Sequence, residues 1–233
     1  IYKDKGNNMV KLFGEEIKGV IFDLDGTLLD SMWVWEKVDK DFLAENGIAV
    51  TSDYTEAVKQ MHFEESALYT KNRYSLAITT EQIKNRWIEM VKEEYARNIR
   101  LKAGAYDFIR KLISKEVKIA FATTLFREVA ELCLDNNGLS YRKLGIECPL
   151  VSIEEVSRGK GFPDIYLEAA RRIEVEPCDC MVFEDIPLAI EGANAGGFRT
   201  CGVYDKYSNN ESKFSALCKN YIESVAILLE FID

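Results

Sequence analysis

The chain has 233 residues, 47% of them hydrophobic, with a net charge of −9 and a single histidine. That length and apolar content can bury one large core, or a core and a smaller companion, and they exclude a disordered chain. The acidic balance shows no basic stripe, which argues against binding nucleic acid, and no apolar run reaches the length of a membrane span.

The first residues are polar and charged, with no signal-peptide pattern, so a soluble, cytoplasmic protein is expected. Gly19–Phe22 reads as a short buried strand. It runs into "DLDGTLLDS", where Asp23 and Asp25 stand two residues apart. Two neighbouring carboxylates at the mouth of an apolar strand repel each other and resist burial, so something positive must be shared between them.

After this motif the strand pattern stops. Ser31 can cap a helix that carries Trp35, Val38 and Phe42 and ends at Gly47. Asp53 can cap a second helix. Thr79 and Gln82 have the spacing of a capping box ahead of Ile83, Trp87, Met90 and Val91. No strand is expected from Met32 to Lys102. His62 lies in this charged, helical stretch with no catalytic partner, so it is read as a surface or packing residue, and a Ser-His-Asp mechanism is not expected.

From there apolar runs and amphipathic helices alternate. Strands are expected at Val117–Ala122, Pro149–Ile153, Cys180–Phe183 and Arg199–Tyr204. Between them run stripes through Tyr106, Ile109, Leu112 and Ile113, then Val129, Leu132 and Cys133, then Ile165, Ala169 and Ile173. Pro163 suits the first turn of the third helix. Pro187 starts a further helix that Gly196 and Gly197 stop, and a C-terminal helix through Ile222, Val225 and Leu229 packs on the sheet. The rhythm predicts an α/β protein with a doubly wound parallel sheet. Residues 1–30 and 103–233 would form the α/β core, and residues 31–102 an inserted all-helical domain. Six cysteines, mostly beside apolar residues, read as small buried hydrophobes in a reducing compartment. Cys178 and Cys180 lack the second pair or histidines that a zinc site needs.

Ligands of doubly wound sheets bind beyond the carboxyl ends of the strands. The residues there are Asp23 and Asp25, Thr123 and Thr124, Glu184 and Asp185, with Lys160 arriving from "SRGKGFPD". Four carboxylates can share a pocket if a hard divalent cation such as Mg²⁺ neutralises them. An ammonium and a hydroxyl beside that cation suit the oxygens of a phosphoryl group.

These residues, "DLDGTLLDS", Thr123, Lys160 and "FEDIPLAIEGA", resemble the four motifs of the haloacid dehalogenase superfamily of phosphotransferases. The helical insertion resembles the cap of its branch containing phosphoglycolate phosphatase and β-phosphoglucomutase. The resemblance implies a Rossmann-like core and a Mg²⁺-dependent phosphatase acting on a small phosphorylated metabolite. Asp23 would be the nucleophile that forms an aspartyl-phosphate. Asp25 would protonate the leaving oxygen and then activate water. The metal would be held by the Asp23 carboxylate, the Asp25 backbone carbonyl and Asp185, with Glu184 as ligand or close neighbour. Thr123 and Lys160 would hold the phosphoryl oxygens. Thr124, Trp33, Trp35 and Glu36 are candidates for substrate contact.

Asp25 excludes a dehalogenase, because carbon–halogen cleavage has no leaving oxygen to protonate. A sugar-phosphate mutase is the alternative. The family's mutase has a histidine where Trp35 stands and an arginine early in the cap, with no counterpart over Met61–Leu68. A non-catalytic phosphate-ester-binding module is a third reading, motivated by the departures from the fourth motif at Ile186 and Ala189. Gly161 follows Lys160 where the family often has proline. Lys71 and Arg73 could meet a second anionic group or form a solvated face. Oligomeric state is not legible.

Overall fold

A computed structural model describes residues 10–58, 61, 63–208 and 211–232. The elements run in chain order as β1 (Val10–Leu12), β2 (Glu15–Ile17), β3 (Gly19–Phe22), β4 (Leu29–Asp30), α1 (Val34–Glu45), α2 (Ser52–Val58), α3 (Phe63–Tyr74) and α4 (Thr80–Arg97). They continue as β5 (Arg100–Leu101), α5 (Ala105–Ser114), β6 (Lys118–Thr123), α6 (Arg127–Asn136), α7 (Tyr141–Leu144), β7 (Leu150–Ser152) and α8 (Asp164–Arg172). The last are β8 (Cys180–Glu184), α9 (Pro187–Ala195), β9 (Arg199–Val203), α10 (Glu211–Leu217) and β10 (Asn220–Ile222). The chain divides into two compact units, one of them Met32–Asn98 and the other formed by the chain on either side of it.

The α/β unit is built on a six-stranded sheet in the order β10-β9-β8-β3-β6-β7, with every pairing parallel. The chain leaves β3 for β6 and β7 on one side and returns to β8 and β9 on the other. β3 is therefore the switch point, and a crevice opens beyond the carboxyl ends of β3, β6 and β8. Phe22, the last residue of β3, is in register with both Phe121 and Phe183, and β8 runs one residue and β6 two residues beyond that level. One more residue along that register sets Asp23 beside Glu184.

Alternate side chains of β3 serve opposite faces of the sheet. Ile21 joins a buried cluster with Val182 of β8, Ile165, Tyr166 and Ala169 of α8, and Ala193 of α9. Phe22 turns the other way. It stacks on Phe183 at 5.1 Å and meets Phe108 of α5 edge-on at 6.0 Å. Each fully buried ring of this kind contributes roughly 1.5–3 kcal/mol by leaving water.

The unit Met32–Asn98 holds α1 to α4. Its buried residues include Val38, Phe42, Tyr54, Ile83 and Trp87. Trp87 meets Phe42 at 5.7 Å and Phe63 at 5.8 Å. The capping box at α4 is present: Gln82 N–H donates to the Thr79 hydroxyl oxygen at 3.1 Å, and Thr79 N–H donates to the Gln82 side-chain carbonyl at 2.8 Å.

Several local expectations change. Ser31 does not cap α1, whose N-cap is Trp33; its hydroxyl is committed to Asp25 instead. Asp53 lies in the first turn of α2 rather than before it. Arg100–Leu101 is a strand after all, pairing with Leu29–Asp30 in an antiparallel ribbon too short to leave an alternating pattern. Ile222 ends β10, a sixth strand on β9, and Val225–Glu230 is a 3-10 helix rather than part of a longer α-helix. The hairpin β1–β2 was also unforeseen. Tyr106 and Leu132 face outward, because the buried stripes of their helices run through Phe108 and Ile109, and through Ala130 and Leu134. All six cysteines are free thiols. Cys133, Cys180 and Cys201 are buried, and Cys178 is exposed.

Candidate active site

The crevice at the switch point gathers the residues that end β3, β6 and β8. Asp23 follows β3, Thr123 ends β6, Glu184 ends β8 and Asp185 follows it, and all four are buried. Burying three carboxylates together demands compensation. Lys160 supplies part of it. Its ammonium pairs with Asp23 and with Glu184, the latter at 2.6 Å. Burial alone would lower the Lys160 pKa, but the charges of Asp23 and Glu184 outweigh that effect and hold it above its usual value.

The second oxygen system of the site is built by hydroxyls. Tyr166 on α8 donates to Glu184 Oε1 at 2.8 Å. Ser208 donates to Asp185 Oδ2 at 2.5 Å, and Thr27 to Asp185 Oδ1 at 3.5 Å. Glu184 Oε2 is buried and has no hydrogen-bond partner. Burial first, and the charge of Asp23 second, push Glu184 up to about 8 and Asp185 up to about 7. One ammonium is not enough for three buried carboxylates. Their oxygens lie within 4.8 Å of one another, a spacing that one hard cation can bridge.

Asp25 is half-buried, at the turn that Gly26 makes with a φ of +76°. Ser31 donates to Asp25 Oδ1 at 2.6 Å and so fixes the carboxyl's orientation. Thr123 accepts the Leu125 N–H at 3.1 Å, which leaves its own hydroxyl proton for a ligand. Thr124, the next residue, is exposed. Lys102 ties two loops of the site together. Its ammonium bonds the carbonyl of Gly26, the Tyr204 carbonyl at 3.0 Å and the Asp205 carboxylate at 2.9 Å. Asp205 in turn accepts the Tyr207 N–H at 2.9 Å, forming the turn that delivers Ser208 to Asp185.

The structure thus brings Asp23, Lys160, Glu184 and Asp185 into direct contact or close grouping. Trp33, Trp35 and Glu36 belong to the helical unit, at and just beyond the start of α1. Trp35 is 47% exposed and meets Phe63 edge-on at 5.7 Å. Lys71 donates to the carbonyls of Leu76, at 3.0 Å, and Ile78, and Arg73 pairs with Asp53, so both are engaged within their own unit. His62 lies outside the described residues. Tyr166, Ser208 and Lys102 were not foreseen in these roles. Thr27 of the "DLDGTLLDS" motif bonds Asp185, and Ser31 serves Asp25 rather than a helix start.

A family model described as "Haloacid dehalogenase-like hydrolase" matches residues 20–203, most of the chain, including Asp23, Asp25, Thr123, Lys160, Glu184 and Asp185. The chain belongs to the haloacid dehalogenase-like hydrolases. Among curated relatives of this hydrolase, the "Probable pseudouridine-5'-phosphatase" of Drosophila melanogaster is 30% identical over 199 residues, covering 82% of this chain and 83% of that one. The "Phosphorylated carbohydrates phosphatase" of Thermotoga maritima is 26% identical, over 86% and 91% of the two chains. A solved structure of CbbY from Rhodobacter sphaeroides in complex with phosphate has the same fold, with a TM-score of 0.71, 21% identity, and coverage of 91% and 96%. Among the described residues no helix is long and apolar enough to cross a membrane.

Proposed function

We propose that this phosphoric monoester hydrolase works with Mg²⁺ on a small phosphorylated metabolite and passes through an aspartyl-phosphate on Asp23. The observation that carries the reading is the buried grouping of Asp23, Glu184 and Asp185 around the single ammonium of Lys160. The unpartnered Glu184 Oε2 and the excess of carboxylates over ammonium both fit a divalent cation. Asp23, Asp185 and the Asp25 backbone carbonyl would hold it, with Glu184 beside them. When bound, the ion supplies positive charge against the phosphoryl oxygens.

The rest of the chemistry belongs to the chain. Asp23 has one oxygen on Lys160 and one left for phosphorus. That oxygen forms the new P–O bond as the bond from phosphorus to the leaving oxygen breaks, and Asp25, oriented by Ser31, gives its proton to the leaving oxygen. Asp25 then takes a proton from the water that attacks phosphorus, which frees phosphate and restores Asp23. Lys160 and the Thr123 hydroxyl hold the phosphoryl oxygens in place through both steps. The names of the two phosphatase relatives, one a nucleotide-like ester and one carbohydrate esters, support a small phosphorylated metabolite. We assign Met32–Asn98 the part of a cap that selects the leaving group, with Thr124 and the half-exposed Trp35, together with Trp33 and Glu36, as the residues to vary.

The test is phosphate release from a panel of phosphorylated metabolites, with Mg²⁺ and with EDTA, on the wild type and Asp23→Asn. Release that needs Mg²⁺ and disappears in Asp23→Asn is expected. Release retained in that variant would sink the mechanism. Conversion of a hexose 1-phosphate to its 6-phosphate without free phosphate would replace hydrolysis by a mutase, and tight ester binding without turnover would replace it by a binding module.

A further inference from the structure

Gly192 sits inside α9, where glycine weakens a helix relative to alanine. What crosses the helix there explains it. A methyl group at Gly192 would overlap the carbonyl oxygen of Lys160, and would lie 2.9 Å from the Gly161 carbonyl carbon and 3.0 Å from the Phe162 nitrogen. These are backbone atoms, which cannot swing aside as a side-chain tip can. Leu188 and Gly192 are four residues apart on one face of α9, and Gly196, its C-cap, continues the row. The segment Lys160–Pro163 runs along that face. A methyl at Gly161 would touch Leu188 at 3.1 Å, and one at Gly196 would meet Pro163 at 2.8 Å.

We propose that Gly192 is a positioning residue for Lys160, the seat on α9 against which the lysine's backbone lies so that its ammonium reaches both Asp23 and Glu184. The ammonium is buried, bonds Glu184 Oε1 at 2.6 Å, and is, among the described residues, the one positive charge placed among three carboxylates. The same segment leads into α8, whose Tyr166 shares Glu184 Oε1 at 2.8 Å. α9 itself starts two residues after Asp185, so one helix carries the Asp185 end of the site and supports the Lys160 end. Displacement of a positioned group by about 1 Å can cost about 100-fold in rate.

The kinetic arm of the test rests on the phosphatase reading, and the crystallographic arm does not. Gly192→Ala, Lys160→Met and the double variant are assayed on a chromogenic phosphomonoester with Mg²⁺, and Gly192→Ala is crystallised. Gly192→Ala is expected to melt cooperatively, like the wild type, and to lose about 100-fold in kcat/KM. In the Lys160→Met background the same substitution should change kcat/KM less than about twofold, because there is no ammonium left to misplace. The crystal structure should show Lys160 Nζ withdrawn from Glu184 Oε1. Wild-type kcat/KM in Gly192→Ala, an equal loss in both Lys160 backgrounds, a variant that does not fold, or a Lys160 Nζ still 2.6 Å from Glu184 would each assign Gly192 to packing and overturn the proposal. If the wild type releases no phosphate, the phosphatase reading fails, and the position of Lys160 Nζ in the variant still decides the role of Gly192.

Discussion

Ser208 donates its hydroxyl proton to Asp185, and Asp185 is the carboxylate with no ammonium of its own. Groups that orient a metal ligand in this way typically account for 10- to 100-fold of metal affinity. Ser208→Ala is therefore expected to raise the Mg²⁺ concentration for half-maximal activity by about 10-fold while leaving Asp23 and Lys160 in place. Titration of activity against Mg²⁺ checks this, and an unchanged Mg²⁺ dependence would remove Ser208 from the site. The acidic residues themselves were legible, because a carboxylate at the end of an apolar strand conflicts with burial wherever the strand goes. Ser208 was not. A serine in a polar loop looks like any other until the fold sets it against a carboxylate 23 residues away. Tyr166 was hidden for a related reason: its ring belongs to the apolar cluster, and only its hydroxyl serves Glu184.

At the level of elements, local chemistry was readable where the partners are close in sequence. The Thr79–Gln82 capping box needs only residues three apart, and it forms as read. Thr79→Ala removes one of its two bonds and is expected to destabilise the helical unit by about 1 kcal/mol, seen as a lower denaturation midpoint. An unchanged midpoint would mean that α4 is held by the packing of its buried face, Ile83, Trp87, Met90, Val91 and Tyr95, without help from the cap. Ser31 shows the opposite case. Its residue type is equally suited to a cap, but α1 starts with Trp33 as its N-cap, two residues later, and Ser31 donates its hydroxyl proton to the charged acceptor Asp25. Asn220–Ile222 misled in the same way. The three residues carry no strand pattern, and they become one only because β9 offers an unpaired parallel edge.

For the molecule as a whole, the raised carboxylates set a pH dependence. Asp39 in α1 is pushed up to about 6 by burial, against a bond from Tyr54. Glu184 and Asp185 are pushed to about 8 and about 7. The folded protein without metal then binds more protons than the unfolded chain across this range, so its stability falls as pH rises from about 5 to about 8. The lowered carboxylates, such as Glu168 at about 2, act with the opposite sign but only below that range. A cation in the crevice would stabilise the ionised forms of Glu184 and Asp185. The melting temperature in EDTA is expected to drop between pH 5 and pH 8, and the gain from adding Mg²⁺ to widen over the same interval. A Mg²⁺ gain that is flat with pH would exclude this coupling.

The sequence by itself determined the parallel α/β class, the acidic ends of β3 and β8, and the lysine that answers them. Strand burial, helix periodicity and the cost of a buried charge are all properties of a residue and its near neighbours. Only the tertiary structure decided which hydroxyls complete those carboxylates, that β10 extends the sheet, and that Gly192 lies beneath Lys160. Each of these depends on two segments meeting that are remote in the chain. A glycine or a serine carries no mark of the surface it will face until the fold has chosen it.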